Sequence, residues 1–325
     1  MIGGAAAIGL IALLLAGCFA GAGAQPEEAN LASALEAAPI PITPTPLPTA
    51  AMPSATMTAA ASATAIRVFP SSPTVTAWAM QTESPTPPSE GTATAAVVIG
   101  YSVGGRSLEV YRFGSGPQKR MIVAGIHGGN EWNTIALAHE LIAYLNNHET
   151  LVPKKITLYI LPALNPDGEA RAHSMDGRVN DHGVDLNRNF PENWQRDWER
   201  AGCWAYRPTT GGDYPGSEPE TQALMAFLRA AQVEALISYH SAALGIFPAG
   251  EPPDAASVSL AESVAAASSY PYPPIATGCF YSGTLPDWAA AHGSAAVDVE
   301  LTDHFYTDFD INLEVLKAFL AWNKP

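Results

Sequence analysis

The sequence is poor in basic residues. Of 325 residues only 16 are Lys or Arg, against 31 Asp or Glu, a formal charge of −15. No cationic cluster breaks that balance, which argues against a nucleic-acid partner. Cysteine is nearly as scarce. Cys18 lies near the start, and Cys203 and Cys279 remain as a candidate disulfide pair in an exported chain. Long apolar runs are confined to Ala5–Leu15, which is too short to span a bilayer comfortably, and no second long apolar span follows. No internal repeat is visible, so the chain is not read as a repeat array.

What is present divides the chain into three parts. The Ala5–Leu15 run leads into Leu15-Ala16-Gly17-Cys18, which resembles the lipobox of bacterial lipoproteins. Residues 1–18 are therefore read as a lipoprotein-type signal peptide, with Cys18 as the lipid attachment point. Met1-Ile2-Gly3-Gly4 lacks the usual Lys or Arg, and an ordinary signal peptide cleaved after Ala22 or Ala24 is the alternative, giving a fully secreted protein. Residues 19–95 are rich in Ala, Thr, Pro and Ser, as in Ser84-Pro85-Thr86-Pro87-Pro88. They hold too few large apolar residues to offset chain entropy and read as a disordered, Pro-stiffened linker. Residues 96–325 are long enough for one domain with a large core. That domain holds 15 basic and 26 acidic residues, a net charge of −11.

Within the domain, Val97–Val103 and Ser107–Arg112 flank Gly104-Gly105-Arg106 and predict a β-hairpin. Met121–Ile126 predicts a buried strand, and the helical spacing of Ile135, Ala138, Leu141, Ile142 and Leu145 predicts a helix near Thr134–His148. Lys155–Leu164 reads as a strand ending in the turn cluster Asn165-Pro166-Asp167-Gly168. Gly168–Gly216 reads as a long irregular segment, the kind that is usually functional. Ser217 and Glu220 suggest a capping box before a helix over Glu218–Ala231. Strands at Glu234–Ser241 and Ala295–Leu301 and helices at Ala255–Ser269, Leu285–His292 and Phe309–Trp322 complete the pattern. Strands alternating with helices after an opening hairpin predict an α/β fold, a three-layer α/β/α sandwich around a mixed parallel and antiparallel sheet.

His127 with Glu131, His240, and Glu300 all fall at predicted strand ends, the edge where α/β sheets bind ligands. Two imidazoles and one carboxylate form a usual catalytic zinc shell with one position left open, and a further carboxylate can serve as base. Asp298 lies on the same strand face as Glu300 and is the alternative base.

The surroundings sharpen this. Gly125-Ile126-His127…Glu131-Trp132, Asn165-Pro166-Asp167-Gly168, Gly183-Val184-Asp185-Leu186-Asn187-Arg188-Asn189-Phe190, Ser217-Glu218-Pro219-Glu220-Thr221, Ser238-Tyr239-His240-Ser241 and Val299-Glu300-Leu301 occur in that order. The series resembles the zinc carboxypeptidase (metallocarboxypeptidase) family over nearly all of residues 97–325. The resemblance implies one Zn²⁺ held by His127, Glu131 and His240, with Glu300 as general base toward a zinc-activated water. It implies that Asn187 and Arg188 bind the substrate's terminal carboxylate and that Arg178 polarises the scissile carbonyl. His139, His148, His173, His182, His292 and His304 have no motif support and read as structural or surface residues.

Two departures stand out. The family usually has two residues between the first His and Glu, and here Gly128, Gly129 and Asn130 intervene. The family's substrate-closing Tyr aligns with Cys279, which leaves Tyr281, two residues away, as the substrate-binding candidate. Gly250-Glu251 offers one acidic candidate for a pocket accepting basic side chains.

The resulting expectation is a membrane-tethered zinc metallopeptidase of carboxypeptidase type on the outer face of the cell membrane. It would act on a peptide or cell-wall peptide, touch the membrane only through its N-terminal lipid and bind no nucleic acid. The alternatives are a stem-peptide amidase or an N-acyl amino acid deacylase of the same fold, or a non-catalytic peptide-binding surface module.

Overall fold

Period-two alternation along the strands sends apolar side chains to both faces of one sheet, and helices cover each face. The computed structural model describes residues 96–198, 209–243, 245–276, 278 and 281–325. The expected signal segment with Cys18, the expected linker, and the candidate disulfide pair Cys203 and Cys279 lie outside the described residues. In chain order the elements are β1 (Val97–Tyr101), β2 (Ser107–Gly114), β3 (Gln118–Val123), α1 (Trp132–Asn147), β4 (Ile156–Leu161) and α2 (Pro166–Arg171). Two short strands follow, β5 (Asp197–Trp198) and β6 (Thr209–Thr210), then α3 (Pro219–Ala231), β7 (Ala235–Ser241) and β8 (Ile246–Pro248). The chain closes with α4 (Ala255–Ala265), α5 (Leu285–Ala291), β9 (Ala295–Leu301) and α6 (Phe309–Ala321).

The main sheet has seven strands in the order β1-β2-β4-β3-β7-β9-β8. Its centre, β4-β3-β7-β9, is parallel, and its β1-β2-β4 and β9-β8 pairings are antiparallel. On one face Ile122, Ile237 and Val297 pack with Leu137 and Leu141 of α1, Leu260 of α4 and Phe319 of α6. On the other, Met121, Leu236 and Ala296 pack with Leu224 and Leu228 of α3 and Trp288 of α5. The predicted three-layer sandwich with a mixed sheet is what forms. All seven residues of β7 are buried, as a central parallel strand requires.

Several local expectations are corrected. Asn165-Pro166-Asp167-Gly168 opens α2 and is not a free turn. The Asn165 side chain accepts from Gly168 N at 2.9 Å and Pro166 takes the first helical turn, where a missing N–H costs nothing. The segment after it is not wholly irregular, since 3₁₀ turns form at Met175–Gly177 and Leu186–Arg188. The capping box at Ser217 does not form. The cap is Glu218, without a side-chain cap bond, because Glu220 Oε1 accepts instead from Val103 N at 3.0 Å. The three-residue strand β8 was too short to show a period in sequence. No helix among the described residues is long and apolar enough to cross a membrane.

Candidate metal centre

The parallel strands end on one side of the sheet, and three of them deliver the predicted chemistry there. His127 follows β3 by four residues, His240 lies near the end of β7, and Glu300 lies near the end of β9. The β7–β9 register places His240 beside Glu300 and Ser238 beside Asp298. His127, Glu131 and His240 are each 3 % exposed, and their ligand atoms lie within 4.8 Å of one another. His127 Nδ1 and His240 Nδ1 face each other at 3.2 Å. The Glu131 carboxylate closes the triangle, with Oε1 at 2.7 Å from His127 Nδ1 and Oε2 at 3.1 Å from His240 Nδ1.

This donor set fits a zinc ion. Two imidazoles converge by the same ring nitrogen on one buried carboxylate, and each opposite nitrogen has a partner of its own. Asp185 Oδ1 lies 3.1 Å and Arg178 Nη2 2.9 Å from His127 Nε2, and Ser238 Oγ lies 2.9 Å and Asn187 Nδ2 3.3 Å from His240 Nε2. Outer partners of this kind hold each ring with its other nitrogen turned toward the metal. Asp185 is held in turn by Arg178, whose Nε donates to its Oδ2 at 3.0 Å. Burial pushes the Asp185 carboxyl up, but Arg178, His127 and Arg188 outweigh it and hold it well below the usual range. Asp185 stood inside the sequence motif without a role. Only the fold shows what it touches.

The extra residue between His127 and Glu131 is absorbed by one 3₁₀ turn, Gly128–Glu131. Gly128 takes φ +46°, a conformation that favours glycine. Gly129 is fixed by crowding, since a Cβ there would lie 2.1 Å from Ala172 O. Gly129→Ala is therefore expected to force the turn off the α2 backbone, at about 2–3 kcal/mol, with weaker zinc retention. Gly183→Ala, with φ +79° but open space around it, is expected to cost about 1 kcal/mol and leave zinc in place. Thermal unfolding and metal analysis of both variants check this.

The charged groups around the cluster act on one another through short contacts. Burial pulls the His240 imidazole down, but Asp298 and Glu131 overcome it and hold the ring well above the ordinary histidine range. Burial pushes Glu131 up, and His127 and His240 bring it well below the carboxylate range. Those two carboxylates favour a proton on His240 in the metal-free chain, and zinc must displace it to bind there. Zinc affinity is expected to rise about tenfold per pH unit until His240 deprotonates by itself, read by chelator competition from pH 6 to 8. A pH-independent affinity would contradict this.

Glu300 accepts from Ala243 N through Oε2 at 2.9 Å, and its Oε1 has no protein hydrogen-bond partner among the described residues. Burial is the main reason its carboxyl is pushed up to about 7, with Glu131 and Asp298 adding to it and His240 and Ala243 N opposing. Asn187, Arg188 and Tyr281 line the same cavity, of 480 Å³, as do Arg178 and the cluster itself. Asn187 Oδ1 accepts from Leu285 N at 2.9 Å, which turns its Nδ2 toward His240. The Arg188 guanidinium lies 5.1 Å from the Tyr281 ring centroid. Asp298, the alternative base, is 3.3 Å from His240 Nε2, across the imidazole from the nitrogen that faces Glu131.

The six histidines without motif support separate. His173 stacks on Trp132, His182 contacts Glu218, and His148 and His292 contact carbonyls of the helices they cap, α1 and α5. His139 is exposed. His304 is the exception, because it lines the cavity. Asn133 Nδ2 donates to Asp303 O and Tyr306 O at 2.7 and 2.9 Å, so Asn133 Oδ1 is the acceptor for Ser241 Oγ at 3.0 Å. Ser241 has spent its one proton, and His304 Nδ1, 3.0 Å from Ser241 Oγ, must then be the N–H donor. No sequence spacing links these three residues. The loop after β9 brings them together.

The sequence matches the zinc carboxypeptidase family over residues 89–314. Murein peptide amidase A of Escherichia coli K12 is 35 % identical over 126 residues, covering 37 % of this chain and 48 % of the relative. Carboxypeptidase A5 of Macaca fascicularis is 32 % identical over 165 residues, covering 45 % of this chain and 37 % of the relative. The chain thus spans less than half the length of these curated relatives. In fold it is similar to the murein-tripeptide amidase of Escherichia coli O157 (TM-score 0.52, 23 % identity, 73 % of this chain and 95 % of that one). It is also similar to the carboxypeptidase A of Helicoverpa armigera (TM-score 0.56, 18 % identity, 71 % of this chain and 68 % of that one). The family match includes every element that brings His127, Glu131 and His240 together, and the chain belongs to the zinc carboxypeptidase family.

Proposed function

We propose that the protein is a zinc metallopeptidase that hydrolyses an amide bond next to a free carboxylate on a peptide. The observation that carries this is one cavity lined at once by the His127–Glu131–His240 cluster, by Glu300 and by the cations Arg178 and Arg188. Zinc held by the cluster supplies Lewis-acid polarisation when bound. Arg188 and the Asn187 Nδ2 bind the substrate's terminal carboxylate, which selects a chain end over an internal peptide. Glu300 takes the proton of the attacking water on the oxygen its Ala243 contact leaves free, and returns it to the departing amine. Arg178, braced by Asp185, stabilises charge developing on the carbonyl oxygen.

A second reading within this chemistry is favoured by the 35 % identity to murein peptide amidase A, namely cleavage of a cell-wall stem peptide. The test is a panel of peptides and murein peptides, each with and without chelator. Chelator-sensitive release of the last residue from ordinary peptides supports the first reading. Release from murein peptides alone supports the second. No chelator-sensitive release by zinc-loaded protein sinks both and leaves a binding module. We also read the chain as exported and lipidated at Cys18, on the lipobox-like run alone. Labelled palmitate is expected to follow the protein and to be lost in Cys18→Ala.

A further inference from the structure

The loop between β9 and α6, residues 302–308, has no part in the reading above, yet its His304 lines the cavity. Hydrogen bonds fix the loop's shape. Asp303 Oδ1 accepts from Phe305 N at 2.7 Å and from Tyr306 N at 2.8 Å, and Asp308 Oδ2 accepts from Thr302 N at 2.9 Å. The carbonyls of Asp303 and Tyr306 are held by Asn133, a fully buried residue of α1. The order of protons along Asn133, Ser241 and His304 is thus set from the buried end, with His304 Nδ1 as the last donor. In the neutral ring the remaining lone pair is on Nε2. That nitrogen has no hydrogen-bond partner among the described residues, and it is the acceptor that His304 brings to the cavity.

We infer that His304 Nε2 accepts a hydrogen bond from the amide N–H of the residue that supplies the scissile carbonyl, and so holds the acyl side of the peptide. The inference rests on the reading of Asn187 and Arg188 as the carboxylate clamp. Clamp and loop stand on different sides of the His240 ring. Asn187 Nδ2 lies 3.3 Å from His240 Nε2. Ser241, which His304 contacts, donates its N–H at 3.3 Å to Glu131 Oε2, the oxygen that faces His240 Nδ1. A peptide with its last carboxylate at the clamp and its scissile carbonyl at the cluster therefore runs its acyl side toward His304. An amide N–H drawn out of water there needs an acceptor, and leaving it without one is costly. The neighbouring acceptors are engaged. Glu300 takes the proton of the attacking water, Asp298 Oδ1 is shut off from solvent, and Ser241 Oγ already serves Asn133 and His304.

The test uses the zinc-loaded protein and the peptide of three or more residues that it cleaves fastest in the panel above. That peptide is compared with an analogue in which an ester oxygen replaces the N–H in question, while the scissile amide and the terminal carboxylate are kept. The wild type is expected to cleave the amide with a kcat/KM about tenfold above that of the ester analogue. In His304→Asn the side-chain amide still offers Ser241 Oγ a donor and places no acceptor where Nε2 stood. There the ratio is expected to fall to within about twofold, with zinc content and turnover of the ester analogue retained. Equal turnover of the two by the wild type overturns the inference, whatever the variant does. So does an Asn variant that keeps the tenfold ratio, since His304 would then only brace Ser241. Cleavage of dipeptides alone also overturns it, because the group beside His304 would be an ammonium. No chelator-sensitive cleavage of any peptide means that the metallopeptidase reading itself fails, and this inference falls with it.

Discussion

Glu300→Gln is expected to lower kcat by about 10³-fold while zinc stays bound at one per chain. The substitution keeps the side chain's shape and its acceptor for Ala243 N, and removes only the ability to take a proton. The cluster does not include Glu300, so metal content should not change. KM should move little, because the lost interaction belongs to the transition state. The sign of the pH dependence follows from the same group. In the metal-free chain its carboxyl is pushed up to about 7, mainly by burial. A dication beside it favours the ionised form and brings that value down. The base must be ionised to act, so kcat/KM should rise with pH along an acid limb centred below 7, and the Gln variant should lack that limb. The alternative base predicts otherwise. Asp298 lies across the His240 ring from Glu131 and contacts the ring nitrogen that points away from the cluster. If Asp298→Asn removed the acid limb and Glu300→Gln kept it, the assignment of the base would be reversed.

Much of this was legible before the fold. His240 and Glu300 each close an apolar strand, and strand ends on a parallel sheet share one edge. Glu131 was legible despite the extra residue because spacings of three and four both stay on one side of a helical turn, and a 3₁₀ turn realises the second. The partners of these residues were not legible. Asp185 reaches His127 across 58 positions, and His304 reaches Ser241 across 63. Contacts of that kind depend on where loops return, which no local period encodes. The Ser217–Glu220 box misled for the same reason, since Val103, 117 residues from Glu220, claimed its carboxylate. Asp298 was legible as an acid on the right face. Its nearness to His240 and Arg188 comes from strand register and cavity shape.

Arg188→Lys is expected to lower kcat/KM on peptides with a free C-terminus by about 10²-fold, mostly through KM. Arg188 is buried, and burial above all brings its guanidinium down to about 10, yet that still leaves it charged at neutral pH. A lysine at this position starts from a lower intrinsic value and loses charge sooner under the same burial. It also replaces a planar fork by a single point, so the two-pronged grip on a carboxylate is lost even where charge survives. The guanidinium's place over the Tyr281 ring cannot be filled by an ammonium in the same way. Zinc content should be unchanged, since Arg188 is outside the cluster. The discriminating comparison is with C-terminally amidated peptides. If Arg188 reads the terminal carboxylate, wild type should barely cleave them, and the variant should lose nothing further on them. An equal loss on free and amidated peptides would mean that Arg188 only braces the loop holding Asn187, and the terminal-carboxylate reading would fall with it.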